Sequence, residues 1–204
     1  MKDLKKTIYN FKNPGFHLSW IEIKQEQLEK EILPEELEKY RLITHQKRKK
    51  EFQYVRYLRN VNLGPQAILY DKIGKPSIEK NNVFISISHS KNFVALANSN
   101  FPIGIDIEEL NPRILKVFQR FLHLDEEKLF DLNSIAELTV AWTIKEVLFK
   151  LNNRVGIDFK NELRIKSKKG ATFFCEMRSE KDIIQVSVES FAHKNLIISY
   201  NLNK

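Results

Sequence analysis

Two carboxylates, separated by one residue, lie in a short segment in which isoleucines alternate with other residues, Ile103-Gly104-Ile105-Asp106-Ile107-Glu108. Residues i and i+2 of a strand share a face about 6.5–7 Å apart, so Asp106 and Glu108 can converge on one cation. Hard oxygen ligands suit Mg²⁺, which keeps several waters and often bridges to substrate phosphates. A strand with a solvated acidic face is the alternative. Glu109 points to the opposite face and is the weaker ligand.

A second charged pair lies in the segment Trp142–Lys150, inside the helix that the apolar periodicity predicts most clearly, Ile135 to Leu151. Glu146 and Lys150 are four residues apart and therefore share one face of that helix. Such a pair is usually a surface ion pair worth about 0.2–0.5 kcal/mol. A catalytic interpretation requires Glu146 to face Asp106 and Glu108.

Two short motifs precede these segments. Ser88-His89-Ser90 ends a predicted strand at a hairpin bend, where hydroxyls and an imidazole suit contacts to phosphate or ribose. Serine is also common in turns for its local hydrogen bonds, which is the alternative interpretation. Gly74-Lys75-Pro76 predicts a turn that carries an exposed lysine.

The densest basic run is Lys47-Arg48-Lys49-Lys50, and Arg56 and Arg59 follow on the same predicted helix. The run could bind a phosphate group or a nucleic acid, or it could be a solvated helix face. Arg48 and Arg56 are eight residues apart and so lie roughly on one side of the helix.

Composition narrows the class of protein. The 204 residues include 34 Lys and Arg against 26 Asp and Glu, a net charge of +8 that favours anionic partners. A single cysteine, Cys175, excludes an intramolecular disulfide framework and a cysteine-based zinc site. No apolar run is long enough to span a membrane, and Met1 to Asn10 lacks the apolar segment of a signal peptide. We therefore expect a cytoplasmic location.

The predicted elements form two series. The first is a strand at 16–23, a helix from Pro34 to Leu63 ended by Gly64-Pro65, and a hairpin at 83–88 and 93–97. The second is a strand at 103–108, helices up to about 152, and strands near 171–177, 183–189 and 196–202. This order predicts an α+β fold of two similar halves, 1–102 and 103–204, each with an antiparallel sheet packed on helices.

Four motifs occur in a fixed order: G-K-P, S-H-S, G-I-D-I-E, and W-T-I-K-E with a lysine four residues beyond its glutamate. Together they resemble the 4′-phosphopantetheinyl transferase superfamily, in particular the single-chain type that modifies carrier proteins. The resemblance implies transfer of 4′-phosphopantetheine from coenzyme A to a serine of an acyl or peptidyl carrier protein, with release of 3′,5′-ADP and dependence on Mg²⁺.

The resemblance also implies roles for the C-terminal half. Asp106, Glu108 and Glu146 would be the Mg²⁺ ligands, and Glu146 would also be catalytic. Lys150 would be catalytic and meet the coenzyme A pyrophosphate, and Lys145 would bind close by.

The N-terminal half would bind the rest of coenzyme A. The resemblance places Gly74, Lys75 and Pro76 along the adenine pocket. It assigns Ser88 and His89 to the adenine and 3′-phosphate end. The candidates for further 3′-phosphate contacts are Lys47, Arg48 and Arg56.

The sequence departs from the family pattern at three places. Val147 follows the motif glutamate, Arg59 stands one position from the usual second arginine, and Gly156 is a single glycine where two are common. These departures concern pocket shape and carrier preference. We expect a monomer with no nucleic-acid or membrane partner. The alternative is a basic nucleic-acid-binding module without catalytic activity, which predicts salt-dependent polynucleotide binding and no need for Asp106.

Overall fold

The computed structural model describes residues 8–78, 83–152, 154–179 and 182–203. Contacts within the chain divide it into two compact units, Met1–Pro102 and Ile103–Lys204, here called the N-terminal and C-terminal units. Each unit combines helices with an antiparallel sheet, so the predicted α+β class is confirmed.

A four-stranded sheet forms the centre of the N-terminal unit, with the strand order β1-β2-β6-β5. Its strands are β1 (Tyr9–Asn13), β2 (Phe16–Glu22), β5 (Phe84–His89) and β6 (Phe93–Ser99). A separate hairpin pairs β3 (Ile68–Tyr70) with β4 (Pro76–Ile78). The helices are α1 (Leu37–Leu42) and α2 (Gln46–Leu63), and single 3₁₀ turns cover Glu29–Glu31 and Pro34–Glu36.

The single helix predicted from Pro34 to Leu63 is wrong, because the structure breaks it between α1 and α2. Ile43 and His45 both have extended backbone angles, with ψ values of 114° and 122°. Ile43 and Thr44 are β-branched, and such side chains lose rotamer freedom in a helix. The predicted stop is confirmed, since Gly64 follows α2 with a φ of 79°.

Helix α2 packs against β6 and supplies one side of the N-terminal core. Tyr54 and Leu58 of α2 are fully buried with Ile21 of β2 and Val94 and Leu96 of β6. The predicted hairpin is confirmed, since β5 and β6 pair antiparallel from Phe84 to His89.

A five-stranded antiparallel sheet forms the C-terminal unit, in the order β7-β11-β10-β9-β8. The strands are β7 (Ile105–Glu109), β8 (Leu163–Lys169), β9 (Thr172–Arg178), β10 (Ile183–His193) and β11 (Leu196–Asn201). The helices are α3 (Ile114–Val117), α4 (Leu124–Glu127) and α5 (Ile135–Leu151), with a 3₁₀ turn at Phe118–Arg120. The sequence prediction missed β8, which buries only its first three residues.

Helix α5 packs across β7 and β11 and positions the acidic residues described below. It begins after Ser134, whose hydroxyl accepts a hydrogen bond from the Glu137 N–H as an N-cap. One side of α5 is fully buried through Leu138, Ile144 and Leu148.

Cys175 lies in the same core, on β9, with no exposed surface. Burial raises the pKa of its thiol far above the usual range. No helix within the described parts of the chain has the length and apolar content that a membrane crossing requires.

Candidate active site

The acidic face of β7 lies against α5, and a glycine makes this approach possible. A Cβ added to Gly104 would lie 2.7 Å from the main-chain oxygen of Val147 and 3.2 Å from Cγ of Leu151. A main-chain oxygen cannot turn aside as a flexible side chain can, so this position requires glycine. Asp106 is only 4% exposed. The alternative of a solvated acidic face is therefore wrong for Asp106.

Lys150 is the cation that binds Asp106. Its Nζ donates to Asp106 Oδ1 at 2.9 Å and to the Ile105 carbonyl oxygen at 2.7 Å. The ion pair therefore joins α5 to β7 and is not the pair along the helix surface that the spacing with Glu146 suggested. A quarter of the Lys150 side chain, 25%, stays exposed. The ammonium is thus held by Asp106 on a side chain that is only partly buried.

Glu108 contacts α5 one turn before Glu146. The indole N–H of Trp142 donates to Glu108 Oε1 at 3.4 Å. Sequence analysis did not assign Trp142 a role, although Trp142 and Glu146 are four residues apart and share a helix face. That spacing was the signal that could have identified it.

The two glutamates of this face have unusually high proton affinity. Burial, followed by the negative charge of Asp106, raises the pKa of Glu108 to about 7. The same two causes, in the same order, raise the pKa of Glu146 to about 7. Lys150 opposes both shifts. Asp106, Glu108 and Glu146 are therefore close enough to repel one another, and two of them titrate near neutral pH.

The donor chemistry of this face fits a hard cation, but the side chains are not gathered into a finished metal site. In the described ranges, which omit residues 1–7, 79–82, 153, 180–181 and 204, no three His, Cys, Asp or Glu side chains are placed to hold a metal ion as they stand. Three mutually repelling carboxylates would be stabilised by a divalent cation, and all their donor atoms are oxygens, as Mg²⁺ prefers.

A cavity of about 520 Å³ opens beside Glu108 in the C-terminal unit. Apolar side chains from α3, α5 and the segment before β8 line it, among them Ile114, Val117, Trp142 and Phe159. Arg113 and Arg120 lie on the same lining. The cavity therefore offers an apolar wall beside an acidic and a basic edge.

Lys145 is turned away from this face. Its side chain is fully buried, and its Nζ donates to Glu126 at 2.9 Å and to the carbonyl oxygens of Phe159 (3.1 Å) and Leu163. This placement conflicts with the expectation that Lys145 binds beside the pyrophosphate. The three N–H groups of an ammonium are all used inside the C-terminal unit.

Several of the residues that the sequence assigned to coenzyme A surround one cavity of about 600 Å³ in the N-terminal unit. The predicted residues that line it are Arg48, Arg56, Gly74 and His89. Lys47, Lys75, Pro76 and Ser88 are outside the lining.

Arg56 is held in place by a buried carboxylate. Its Nε donates to Glu36 Oε1 at 3.0 Å, and its guanidinium lies 3.4 Å from the centre of the Phe52 ring. Glu36 also binds Arg59 Nη2 at 3.1 Å. The Nη2 of Arg56 is buried and has no hydrogen-bond partner among the described residues. Arg56 is among the residues that line the cavity, and a buried donor without a partner costs free energy that an anionic ligand could recover.

Lys39 and Tyr70 complete this wall, and sequence analysis missed both. The Lys39 ammonium lies 3.2 Å from the centre of the Tyr70 ring, and the Tyr70 hydroxyl accepts from Arg56 Nη1 at 3.3 Å. Burial, and then the positive charge of Arg56, lower the pKa of Lys39. The two cations repel each other across the cavity wall, so an anion bound there would be stabilised. No motif marked Lys39, since it lies on a separate short helix.

The basic run meets the same cavity at one residue. Arg48 Nη1 donates to Glu51 Oε2 at 2.8 Å and contacts the ring nitrogens of His89. Lys47 lies 3.5 Å from Glu51 Oε1 and is half exposed, away from the cavity lining. The structure therefore places Arg48, and not Lys47, beside His89.

The G-K-P motif forms the turn between β3 and β4. Gly74 has a φ of 85°, a conformation that strains other residues. Asp71 Oδ1 accepts the Lys75 N–H at 2.8 Å and the Ile73 N–H at 3.0 Å, which fixes the turn. This turn presents Gly74 to the cavity. Ser88 is buried on β5, one residue before His89.

The C-terminal unit thus sets carboxylates against a lysine, beside a cavity with an apolar wall and a basic edge. Residues 102–200 match the family model of the 4′-phosphopantetheinyl transferase superfamily. This match covers just under half of the chain and confirms the resemblance that the motifs predicted.

Two curated relatives agree with this match. The chain is 33% identical over 96 residues to the 4′-phosphopantetheinyl transferase gsp of Aneurinibacillus migulanus, which covers 44% of this chain and 40% of that protein. It is 36% identical over 92 residues to the 4′-phosphopantetheinyl transferase psf-1 of Bacillus pumilus, which covers 42% of this chain and 39% of that protein. The matched region thus spans about two fifths of each relative.

Proposed function

We propose that this chain transfers 4′-phosphopantetheine from coenzyme A to a serine of an acyl or peptidyl carrier protein and releases 3′,5′-ADP. The observation that carries the proposal is the meeting of Asp106, Glu108 and Glu146 with Lys150 between β7 and α5. These residues lie inside the region that matches the superfamily.

Asp106, Glu108 and Glu146 are the residues that would hold Mg²⁺. The support is their oxygen donors, their mutual repulsion and the burial of Asp106. When bound, Mg²⁺ supplies positive charge that offsets the negative charge of the coenzyme A pyrophosphate.

Glu146 accepts the proton of the attacking serine in this proposal. The serine oxygen forms a bond to the β-phosphorus of coenzyme A, and the bond from that phosphorus to the bridging oxygen breaks, so that 3′,5′-ADP leaves. The pKa of Glu146 is raised to about 7 in the metal-free protein, but a bound cation would lower it, so the position of Glu146 beside the serine must contribute most of this role. Lys150 contributes positive charge to the pyrophosphate as negative charge moves onto the leaving group.

The apolar cavity beside Glu108 is assigned to the pantetheine arm. The arm is largely uncharged, and the cavity wall includes Ile114, Val117 and Phe159. Its basic edge, Arg113 and Arg120, faces the approach of a carrier protein, which we take to be acidic.

The cavity of the N-terminal unit is assigned to the adenine and 3′-phosphate end. Arg48, His89, Lys39 and the buried Nη2 of Arg56 are the donors proposed for the 3′-phosphate. The turn at Gly74, with Lys75 and Pro76, is proposed to border the adenine. Lys47 and Ser88 are given no direct contact, since neither lines the cavity.

Mass spectrometry of an apo carrier protein incubated with the chain, coenzyme A and Mg²⁺ tests the proposal. We expect the carrier to gain the mass of one phosphopantetheine. Asp106→Ala should abolish the gain. Glu137→Ala is the matched control, since it removes an exposed carboxylate of α5 that pairs with Lys168 at 3.7 Å.

Two results would refute the proposed function. One is the absence of any mass gain with a panel of acyl and peptidyl carriers. The other is normal transfer by Asp106→Ala at low Mg²⁺. Salt-dependent polynucleotide binding by the same inactive protein would favour the nucleic-acid-binding alternative instead.

A further inference from the structure

Lys145 and Glu126 form an ion pair that has no exposed surface on either side chain. Lys145 Nζ lies 2.8 Å from Glu126 Oε2 and 2.9 Å from Glu126 Oε1. Both residues are 0% exposed. Neither group can touch a substrate while it is in this position.

Glu126 connects three elements through its two oxygens. Oε1 accepts the Ile165 N–H of β8 at 2.6 Å, and Oε2 accepts the His123 N–H before α4 at 2.7 Å. Lys145 adds α5 to this set. The ion pair therefore fixes α5 against the start of β8 and the start of α4.

Lys145 also binds the segment between α5 and β8. Its Nζ donates to the carbonyl oxygens of Phe159 at 3.1 Å and of Leu163. The Phe159 carbonyl belongs to the turn segment 158–162, and Leu163 is the first residue of β8. Lys145 therefore adds an interior contact to a segment that Asp158 also holds, since Asp158 Oδ1 accepts the N–H groups of Lys160 and Asn161.

Phe159 connects this segment to the acidic face through Trp142. Its ring stacks on Trp142 with centroids 5.7 Å apart and an interplanar angle of 18°. The Trp142 indole N–H in turn donates to Glu108 Oε1 at 3.4 Å. A continuous series of contacts thus runs from the buried ion pair through Phe159 and Trp142 to Glu108.

We propose that Lys145 is a positioning residue, which with Glu126 holds Phe159 and Trp142 so that Glu108 faces Asp106 and Glu146. The proposal rests on the proposed function for its kinetic test. It predicts that Lys145 affects the rate of transfer and the packing of Trp142, with little effect on coenzyme A binding.

The test uses the charge-neutral double variant Lys145→Met with Glu126→Gln, since removing only one partner would leave a buried charge and could prevent folding. We expect kcat to fall about tenfold while the Kd for coenzyme A, from calorimetry, changes less than about threefold. Lys166→Met is the matched control, because Lys166 is a half-exposed lysine of the same unit that pairs with Glu176 at 3.9 Å.

Acrylamide quenching of tryptophan fluorescence gives a readout that does not depend on activity. Trp20 is only 4% exposed, so quenching in the native protein reports chiefly on the half-buried Trp142. We expect the double variant to be quenched more than wild type and Lys166→Met to be quenched equally. Lys145→Arg, which keeps the charge, should retain more of kcat than the double variant and provides a second folded protein.

Three outcomes separate the possibilities. A loss of coenzyme A affinity equal to the loss of rate would overturn the proposal in favour of a direct pyrophosphate contact. A folded double variant with normal kcat and normal quenching would also overturn it, leaving a structural role alone. If the wild-type chain transfers no phosphopantetheine, the proposed function fails, and the quenching comparison still decides whether Lys145 positions Trp142.

Discussion

Both units contain a buried glutamate that lies in a capping box and binds two cationic side chains, Glu36 in one and Glu126 in the other, and the N–H donors of the bound cations are used differently in the two units. Glu36 in the N-terminal unit binds Arg56 and Arg59 and accepts the N–H groups of Leu33 and Ile68. It thereby joins a 3₁₀ turn, α2 and the short strand β3 around one fully desolvated carboxylate.

The C-terminal unit repeats this arrangement with other residues. Glu126 binds Lys145 and lies 3.5 Å from Arg164 Nε, and it accepts the N–H groups of His123 and Ile165. Both glutamates stand three residues after the residue whose N–H they accept, in a capping box. Both bind a cation of the long helix of their unit.

The difference lies in the number of donors of the helix cation. An arginine has five N–H donors in a planar fork, and after Glu36 and Tyr70 are bound, the buried Nη2 of Arg56 has no hydrogen-bond partner among the described residues. A lysine has three, and Glu126, Phe159 and Leu163 use them all. Under the two proposals above, the N-terminal cluster would serve folding and ligand binding, and the C-terminal cluster would serve folding and alignment.

Removing the carboxylate of either cluster should have the largest effect on stability. Glu126→Ala and Glu36→Ala each remove the carboxylate that neutralises two buried cations, which should cost about 3–5 kcal/mol. Urea unfolding of each variant measures this cost. Glu137→Ala, an exposed pair, should cost less than about 1 kcal/mol. If all three variants lost the same free energy of unfolding, burial of the glutamate would not determine its contribution to stability.

A substitution of Lys150 tests whether the two lysines of α5 differ in role, with Lys150 acting on the substrate and Lys145 on the fold. Lys150→Ala should lower kcat more than a hundredfold, since a lost charge at the pyrophosphate is worth about 2.7–4 kcal/mol by analogy with a lost oxyanion donor. Lys150→Arg should lose less. Single-turnover kinetics would measure both. In the metal-free protein Lys150→Ala should also unfold more readily, because Asp106 loses its cation, and added Mg²⁺ should restore that stability.

If Lys150→Ala retained a rate within a few-fold of wild type, Lys150 would be a structural partner of Asp106 and nothing more. The comparison with Lys145 would then no longer separate a catalytic from a positioning lysine.

Arg56→Lys tests whether the spare donor of the N-terminal cluster binds a ligand. The charge remains but the fork is lost, so coenzyme A should bind about 10–100 times more weakly, as expected for a hydrogen bond to a charged group worth about 1.5–3 kcal/mol. Calorimetry with coenzyme A and with 3′-dephospho-coenzyme A would locate the effect. Unchanged preference between the two ligands would place the 3′-phosphate elsewhere. Lys47→Met, outside the cavity, is the control.

The smallest effect concerns pH. The pKa values of Glu108 and Glu146 are raised from 4.5 to about 7 by burial and by Asp106. The folded, metal-free protein therefore binds more protons than the unfolded chain between these values, so this contribution to stability is fully present below about pH 4.5 and is lost as the pH rises through about 7.

Thermal unfolding of the metal-free protein across this range measures the effect. The Glu108→Gln, Glu146→Gln double variant should lose this part of the pH dependence, and the difference from wild type should be on the order of 1 kcal/mol after solvent screening. An identical slope in both proteins would mean that the pKa values of the two glutamates are not raised in the folded, metal-free protein.

The sequence was sufficient for the parts of the molecule that depend on local pattern. The alternation around Asp106 predicted β7, the apolar periodicity predicted α5, and the Gly74 turn lay where the motif placed it. The rest depends on contacts between distant segments. No local pattern distinguishes Lys145 from Lys150, and only the packing of α5 against β7 and β8 sends one ammonium to Glu126 and the other to Asp106.

The same limit applies to Lys39, Tyr70 and Trp142, whose partners come from other segments of their unit. The apolar periodicity also did not predict the break between α1 and α2, because the extended residues Ile43 and His45 leave the spacing of the apolar residues in the sequence unchanged.

The buried thiol of Cys175 has a consequence for an enzyme whose proposed co-substrate ends in a thiol. Disulfide exchange requires an accessible thiolate, and this chain's single cysteine is sealed in the C-terminal core with a raised pKa. The folded protein should therefore form no mixed disulfide with oxidised coenzyme A, even when the cell is under oxidative stress. The rate at which a thiol reagent labels Cys175 should therefore report how often the C-terminal unit opens.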